Sequence, residues 1–453
     1  MSERRIFGTD GVRGTANTYP MTPEFALRMG RAITFVAGRG KSRPPRVLIG
    51  KDTRLSGYML ETALASGICA MGGHVMITGP IPTPAVAQLS VSMRADAGVV
   101  ISASHNPFED NGIKLFGPDG FKLPDAEELE IERLIESQEL DEAKVYGDRI
   151  GDAFRVEDAR GRYVVFAKQT FPSRHTLDGI SVVIDAAHGA AYRVAPTVFE
   201  ELGADVHALG VSPDGTNINA GVGAMHPEGM AREVVARGAH FGIALDGDAD
   251  RVIVADEKGN IVDGDAIMAM CAARLLERGE LPAGTVVATV MSNLGLERAM
   301  KRLGGRVLRT QVGDRYVVEE MRRGGYSFGG EQSGHLIFLE HATTGDGVVA
   351  ALQVAALVVE TGKPLSELAA GALTRVPQVL ENRRFERRAP VDSLAATSRR
   401  ISDAERELGE SGRVLVRWSG TEPKLRVMVE GEDEARIRAI ALEILAEAAR
   451  DLA

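Results

Sequence analysis

Short runs that are apolar at every position recur along the chain, each with a polar loop behind it. Val47-Leu48-Ile49 leads into Gly50-Lys51-Asp52-Thr53-Arg54, a stretch of helical periodicity, and Gly72-Gly73 ahead of Val75-Met76-Ile77. The unit returns as Val182-Val183-Ile184, then Asp185-Ala186-Ala187-His188-Gly189, a helix, and Leu202-Gly203 before Val206. It returns again as Val286-Val287-Ala288-Thr289-Val290, then Ser292-Asn293, a helix, and Leu303-Gly304-Gly305 before Val307-Leu308. Uninterrupted apolar runs mark strands covered on both faces, and one helix between two such strands is a βαβ crossover. The pattern predicts three α/β units in tandem.

The last segment has a different rhythm. An amphipathic stretch from Pro390 through Leu408 precedes Arg413-Val414-Leu415-Val416-Arg417-Trp418, a turn at Ser419-Gly420-Thr421-Glu422-Pro423, a return strand Leu425 to Val429, and a closing Glu-Ala-Leu-rich helix. Two strands joined by a tight turn and flanked by helices predict a small α+β domain. Boundaries are expected near 150, 255 and 372, giving units 1–150, 151–255, 256–372 and 373–453. The charged stretch from Asp125 to Asp148 reads as a solvated helix followed by a linker.

Composition narrows the class without changing this picture. The 453 residues are 44% hydrophobic and 26% charged, which is globular and excludes disordered or fibrous chains. Fifty-three Lys and Arg against 63 Asp and Glu leave a net charge of −10, which argues against a general grip on nucleic acid or anionic membrane. Cys69 and Cys271 are the two cysteines, far apart and outside any metal-type spacing. The N-terminus carries no apolar leader core, and the longest apolar stretch, Val348 to Val359, is interrupted by Gln353 and too short to span a bilayer. A cytoplasmic, reducing setting is expected.

Four loops carry candidate chemistry. In Gly98-Val99-Val100-Ile101-Ser102-Ala103-Ser104-His105-Asn106-Pro107 an apolar strand ends in small residues that expose a hydroxyl, with Lys114 shortly after. The carboxyl end of such a strand is where α/β proteins place their sites, although a serine there also makes an ordinary turn. Phe241 to Leu245 and Val252 to Val254 bracket Asp246-Gly247-Asp248-Ala249-Asp250-Arg251. Three carboxylates at alternate positions between two apolar strands repel one another unless a divalent cation sits among them, and hard oxygen ligands favour Mg²⁺. An EF-hand is excluded because Arg251 occupies the position that must be Gly and a strand follows where a helix should. Gly329-Gly330-Glu331-Gln332-Ser333-Gly334-His335 offers a carboxylate, a hydroxyl and an imidazole suited to sugar hydroxyls and to proton transfer. Arg417 to Pro423 with Arg426 combines guanidinium groups, hydroxyls and turn amides into a phosphate cradle.

These four motifs, in this order, resemble the α-D-phosphohexomutase superfamily from end to end. The opening Phe7-Gly8-Thr9-Asp10-Gly11-Val12-Arg13-Gly14 and Gln332 look most like its bacterial phosphoglucosamine mutase branch. The resemblance implies three similar α/β domains with mixed sheets and a smaller C-terminal α+β domain around a central cleft. It implies that Ser104 is the phosphorylated serine and that Mg²⁺ is held by Ser104, Asp246, Asp248 and Asp250. It further implies that Glu331, Ser333, His335, Arg417, Ser419, Gly420, Thr421 and Arg426 bind the hexosamine phosphate. His105, Lys114, Arg251, Arg13 and His335 are the remaining catalytic candidates. The implied reaction interconverts glucosamine 6-phosphate and glucosamine 1-phosphate for amino-sugar nucleotide and cell-wall precursor synthesis. It runs through a bisphosphorylated sugar and is primed by glucose 1,6-bisphosphate or glucosamine 1,6-bisphosphate. A glucose or mannose phosphate mutase, or a non-catalytic sugar-phosphate-binding relative, are the alternatives; the oligomer is expected to be a monomer or homodimer, with no nucleic-acid or membrane partner.

Overall fold

The computed structural model describes residues 6–8, 10–419 and 423–452. Its first sheet holds β1 (Val12–Thr15), β2 (Arg46–Lys51), β3 (His74–Pro80), β4 (Ala97–Ile101), β5 (Asp110–Phe116) and β6 (Ala153–Arg155), in the order β1-β5-β4-β2-β3-β6. The second holds β7 (Ser181–Asp185), β8 (Asp205–Leu209), β9 (Phe241–Leu245), β10 (Val252–Asp256) and β11 (Ile261–Val262), in the order β11-β10-β9-β7-β8. The third holds β12 (Thr285–Thr289), β13 (Arg306–Thr310), β14 (Phe328–Gly330) and β15 (Leu336–Phe338), in the order β13-β12-β14-β15.

Beneath these differences in size lies one repeated plan. In each sheet the first strand of the unit pairs in parallel with the second and the third, and the third pairs antiparallel with the fourth. The three loops that join third to fourth strand are Ser102–Glu109, Asp246–Arg251 and Glu331–His335. Three of the four motif loops therefore occupy one topological position, the carboxyl end of a parallel strand, where ligand sites of open α/β sheets form.

Two short strands extend their sheets past the expected boundaries: β6 pairs with β3 beyond residue 150, and β11 pairs with β10 beyond 255. Both are brief sheet-edge strands, and β6 is exposed throughout, so neither shows the apolar run that reveals a doubly covered strand. The charged stretch beginning at Asp125 also differs from its reading. The helix Asp125–Glu136 buries Ile131, Leu134 and Ile135 together with Glu128 and Glu132, a stripe at helical spacing hidden among acidic residues.

The fourth domain is a three-stranded antiparallel sheet, β16 (Gln378–Arg384), β17 (Arg413–Trp418) and β18 (Lys424–Glu430), in the order β16-β18-β17. Leu425, Val427 and Val429 alternate onto the face covered by the helices Ala395–Leu408 and Glu434–Asp451 and form a core of their own with Ile437, Ile440 and Ile444. By contrast, one continuous apolar cluster runs from Leu48 and Met76 of the first unit through Ile184 and Val254 of the second to Val286 and Leu352 of the third. Among the described residues no single helix is long and apolar enough to cross a membrane, and Gly347–Thr361 is instead buried in that shared core.

Candidate active site

Ser104 sits in a left-handed backbone conformation, φ +53°, which a non-glycine residue adopts only when its surroundings impose it. Arg54, itself fully buried, imposes it. Its guanidinium donates to the carbonyls of Ser104 (2.9 Å), Asn106 (2.8 Å), Asp110 (3.1 Å) and Pro107, while Nε is held by Asp52 at 2.8 Å. Asp52 also accepts from Ser102 Oγ at 2.6 Å, and Ser102 Oγ in turn accepts from the Ser104 amide at 2.9 Å. From the second unit, Asn219 Nδ2 donates to the carbonyls of Ser104 (2.9 Å) and Asn106 (3.2 Å). Asp52, Arg54, Ser102 and Asn219 have no assigned role in the motif reading. Asp52 and Arg54 lie at the carboxyl end of a predicted strand, which was a signal available in the sequence; Asn219, which reaches across from another unit, left none.

This clamp presents Ser104 Oγ to the acidic turn of the second unit, where it donates to Asp246 Oδ2 at 2.5 Å. Gly247 allows the approach, because a Cβ there would lie 2.6 Å from the Ser104 carbonyl oxygen. Asp246, Asp248 and Asp250 are all buried, and one ligand atom from each lies within 4.8 Å of the others, a grouping able to hold a metal ion. Lys114 Nζ, carried inward by β5, meets Asp248 Oδ2 at 2.9 Å and Asp250 Oδ2 at 3.2 Å, and Thr83 Oγ donates to Asp248 at 2.6 Å. The second oxygens, Asp248 Oδ1 and Asp250 Oδ1, are buried without a hydrogen-bond partner. Buried carboxylate oxygens left over in this way are costly, and a hard divalent cation is the ligand that matches them.

The local fields are strong. Burial, then the charges of Asp250 and Asp248, push the Asp246 carboxyl well above the ordinary range. Burial would raise Asp250 as well, but Lys114, His335 and Arg251 hold it well below that range. Burial disfavours the Lys114 ammonium, yet Asp10, Asp248 and Asp250 together keep it far above an ordinary lysine. His105, whose Nδ1 is 3.3 Å from Ser104 Oγ, is pushed down to about 4 by burial and by the Arg251 and Arg13 cations, so it is neutral near pH 7.

The loop Glu331–His335 is brought to the same place. Val252 N of the second unit donates to the Gly334 carbonyl at 3.0 Å, and Gly334 (φ +89°) must be glycine, since a Cβ would come within 2.0 Å of the Val252 oxygen. His335, buried, lies with Nδ1 3.7 Å from Asp250 and Nε2 3.5 Å from Asp314. Burial alone would lower His335, but the carboxylates of Asp250, Asp314 and Glu331 keep it above its ordinary value. Glu331 accepts from the Gly313 amide at 3.1 Å and from the exposed Ser333 hydroxyl at 3.4 Å. Arg13 binds Asp10, and Arg251 Nε stands 3.9 Å from Asp250 Oδ1; Nε of each is buried without a hydrogen-bond partner. Arg13, Arg251, Glu331 and His335 line one cavity of about 580 Å³.

In the fourth domain Arg417 and Arg426 are directly opposed across β17 and β18, and Arg426 donates to Ser419 Oγ at 3.3 Å. Burial and the Arg426 cation lower Arg417. Gly420 and Thr421 lie outside the described residues.

Known proteins share this plan along the whole chain. Four phosphoglucomutase/phosphomannomutase family models match in order: alpha/beta/alpha domain I at residues 4–142, domain II at 162–259, domain III at 263–376 and the C-terminal domain at 380–447. The chain belongs to the phosphoglucomutase/phosphomannomutase family. A phosphoglucosamine mutase of Sorangium cellulosum is 70% identical over 450 residues, covering 99% of this chain and 94% of the relative. The phosphoglucosamine mutase of Myxococcus xanthus is 59% identical, covering 98% and 96%. In fold the chain is similar to a phosphoglucomutase/phosphomannomutase family protein of Burkholderia thailandensis, with TM-score 0.81, 23% identity and coverage of 98% and 97%. It is also similar in fold to an Aspergillus fumigatus N-acetylphosphoglucosamine mutase solved with GlcNAc-6P and magnesium, with TM-score 0.67, 17% identity and coverage of 100% and 96%.

Proposed function

We propose that this chain is an intramolecular phosphotransferase that interconverts glucosamine 6-phosphate and glucosamine 1-phosphate. The observation that carries the chemistry is the meeting of Ser104 with the acidic turn: a hydroxyl locked in a strained loop, 2.5 Å from a carboxylate of a metal-capable triad. The near full-length identity to phosphoglucosamine mutases supports the amino sugar as substrate.

In this reading Ser104 carries the phosphoryl group and gives it to O1 or O6 of the bound sugar; the bisphosphorylated sugar turns around and returns its other phosphate to Ser104. Asp246, Asp248, Asp250 and the Ser104 phosphate would hold Mg²⁺, which when bound supplies a fixed positive charge beside the transferring group. Arg251 and Arg13, which line the same cavity, would offset the charge of the transferring group. Lys114 and His335 approach the triad from opposite units and are the proton-transfer groups, with neutral His105 beside the serine oxygen as a further partner. Glu331 and Ser333 bind sugar hydroxyls. Arg417, Ser419, Thr421, Arg426 and the Gly420 backbone grip the non-reacting phosphate in both sugar orientations. A hexose 1,6-bisphosphate of glucose or glucosamine primes the serine. A cytoplasmic setting, supported by the two free thiols Cys69 and Cys271, completes the proposal.

The test is kcat/KM for glucosamine, glucose and mannose 6-phosphates, each with Mg²⁺ and a bisphosphate primer. Glucosamine 6-phosphate is expected to lead. A higher value for glucose or mannose would move the enzyme to another member of the family, and binding without turnover would make it a sugar-phosphate-binding relative.

A further inference from the structure

A buried circuit of charge runs between the first and third units, and half of it lies outside the reaction outlined above. Lys122 follows β5, the strand that carries Lys114, and Asp314 opens the helix Asp314–Gly324. The Lys122 ammonium binds Asp10 and Asp314 at once, with all three side chains largely withdrawn from solvent. Asp10 turns its other oxygen to Lys114 Nζ at 3.1 Å and to Arg13, and Asp314 faces His335 Nε2 at 3.5 Å, where the Gly345 amide also donates at 3.2 Å. Asp250 closes the circuit, 3.2 Å from Lys114 and 3.7 Å from His335. Acidic and basic groups alternate around all six positions, and three α/β units contribute.

Lys114 and His335 are the two members assigned to proton transfer, and each is held on one side by Asp250. Its opposite side is held by a carboxylate, Asp10 for Lys114 and Asp314 for His335; Lys122 binds both, and Asp10 also binds Arg13. Buried carboxylates that lose their cation draw on the nearest remaining one. Without the Lys122 ammonium the nearest cation to Asp314 is His335 itself, whereas Asp10 keeps Arg13 beside Lys114, so His335 would be drawn off its position over the triad most and Lys114 less. We propose that Lys122 and Asp314 are positioning residues that fix Lys114 and His335 across the seam between the first and third units. The proposal rests on the mutase reading.

The seam supplies its own control. One residue along the same helix, Arg315 binds Glu128 at 2.6 and 3.0 Å, buried and between the same two units, yet it is bonded to neither Lys114 nor His335. Removing either strut should weaken the docking, but only Lys122 should reach the chemistry.

The experiment compares thermal midpoint, kcat and KM for Lys122→Met, Lys122→Arg and Arg315→Met, assayed with glucosamine 6-phosphate, Mg²⁺ and glucose 1,6-bisphosphate. Lys122→Met is expected to lose about 10²-fold in kcat, the size of a displaced acid–base group, with KM changed less than about threefold. Lys122→Arg should recover most of that loss. Arg315→Met should lower the midpoint comparably and keep kcat within about threefold of wild type. A Lys122→Met enzyme with wild-type kcat, or an Arg315→Met enzyme equally impaired, would overturn the proposal. Should Lys122→Met fail to fold, the isosteric Asp314→Asn carries the same comparison with the same two outcomes. Wild-type enzyme that failed to isomerise in this assay would overturn the mutase reading; a working wild type with indifferent variants overturns the positioning role alone.

Discussion

The two ends of this molecule are built on opposite principles. One apolar cluster runs through the first three units, beside further clusters within each of them, and their motif loops occupy the same topological position, so that Ser104, the acidic triad and the loop Glu331–His335 converge. Buried bonds reinforce the convergence across both seams of the second unit: Asn219 to the Ser104 carbonyl, Lys114 to Asp248, Val252 to Gly334. The fourth domain has a separate core, and bonds near the linker join it to the third unit. There Glu430 accepts from Asn293 Nδ2 at 3.0 Å and the Leu294 amide at 3.1 Å, and Arg413 donates to the Ser292 carbonyl at 3.0 Å. A reacting phosphoryl group needs fixed charges around it. In the proposed reaction the far phosphate would come from either O1 or O6, and a domain attached at one edge could meet both. On that reading fixed charge and room to adjust fall to different parts of the molecule.

The sharpest way to break this comparison is at the fixed end. Ser104→Ala should abolish isomerisation while leaving the fold intact, since the methyl group accepts no phosphoryl group. Residual turnover in that variant would move the chemistry elsewhere. Next in size, Asp248→Asn should lower kcat by about 10²-fold or more, because it weakens the hold on a cation that acts only at the reacting phosphate. Full activity after exhaustive EDTA treatment would remove the metal from the account.

A smaller effect is expected at the adjustable end. Arg417→Ala should raise KM for the 6-phosphate and the 1-phosphate alike, by the roughly 1.5–3 kcal/mol of a charged hydrogen bond. Its progress curves should decay and recover on addition of glucose 1,6-bisphosphate, because an escaped intermediate leaves Ser104 unphosphorylated. Unchanged KM in both directions would separate this loop from the phosphate.

The smallest effect concerns stability alone. Burial pushes Asp346, which caps the helix Gly347–Thr361 and accepts from Tyr163, up to about 6. A carboxyl raised on folding contributes fully below its ordinary value and loses that contribution as pH rises through the folded one. Asp346→Asn should therefore gain in thermal midpoint relative to wild type between about pH 4.5 and about pH 7.5. A constant difference across that range would contradict it.

Much of this was legible in the residues, for a physical reason. Strands buried on both faces leave unbroken apolar runs, so the triplicated β7-type strands stood out, and loops that gather like charges or small polar residues between such strands have few structural reasons to exist. What escaped has no local signature. The strands β6 and β11 are short edges; Glu128 and Glu132 read as solvated acids although they are buried. Arg54, Asn219 and Lys122 take their meaning from partners on distant segments, Lys122 from Asp314 on another unit.

The central claim is that the strained Ser104 is the group that carries phosphate between the two sugar oxygens. Peptide mass mapping of enzyme incubated with Mg²⁺ and glucose 1,6-bisphosphate, before and after chasing with excess glucosamine 6-phosphate, tests it directly. The account predicts one phosphate on the peptide containing Ser104, located on Ser104 and not on Ser102, exchanging with the sugar pool during the chase. Phosphate on Ser102, or a Ser104 phosphate that fails to exchange while the enzyme turns over, would contradict it.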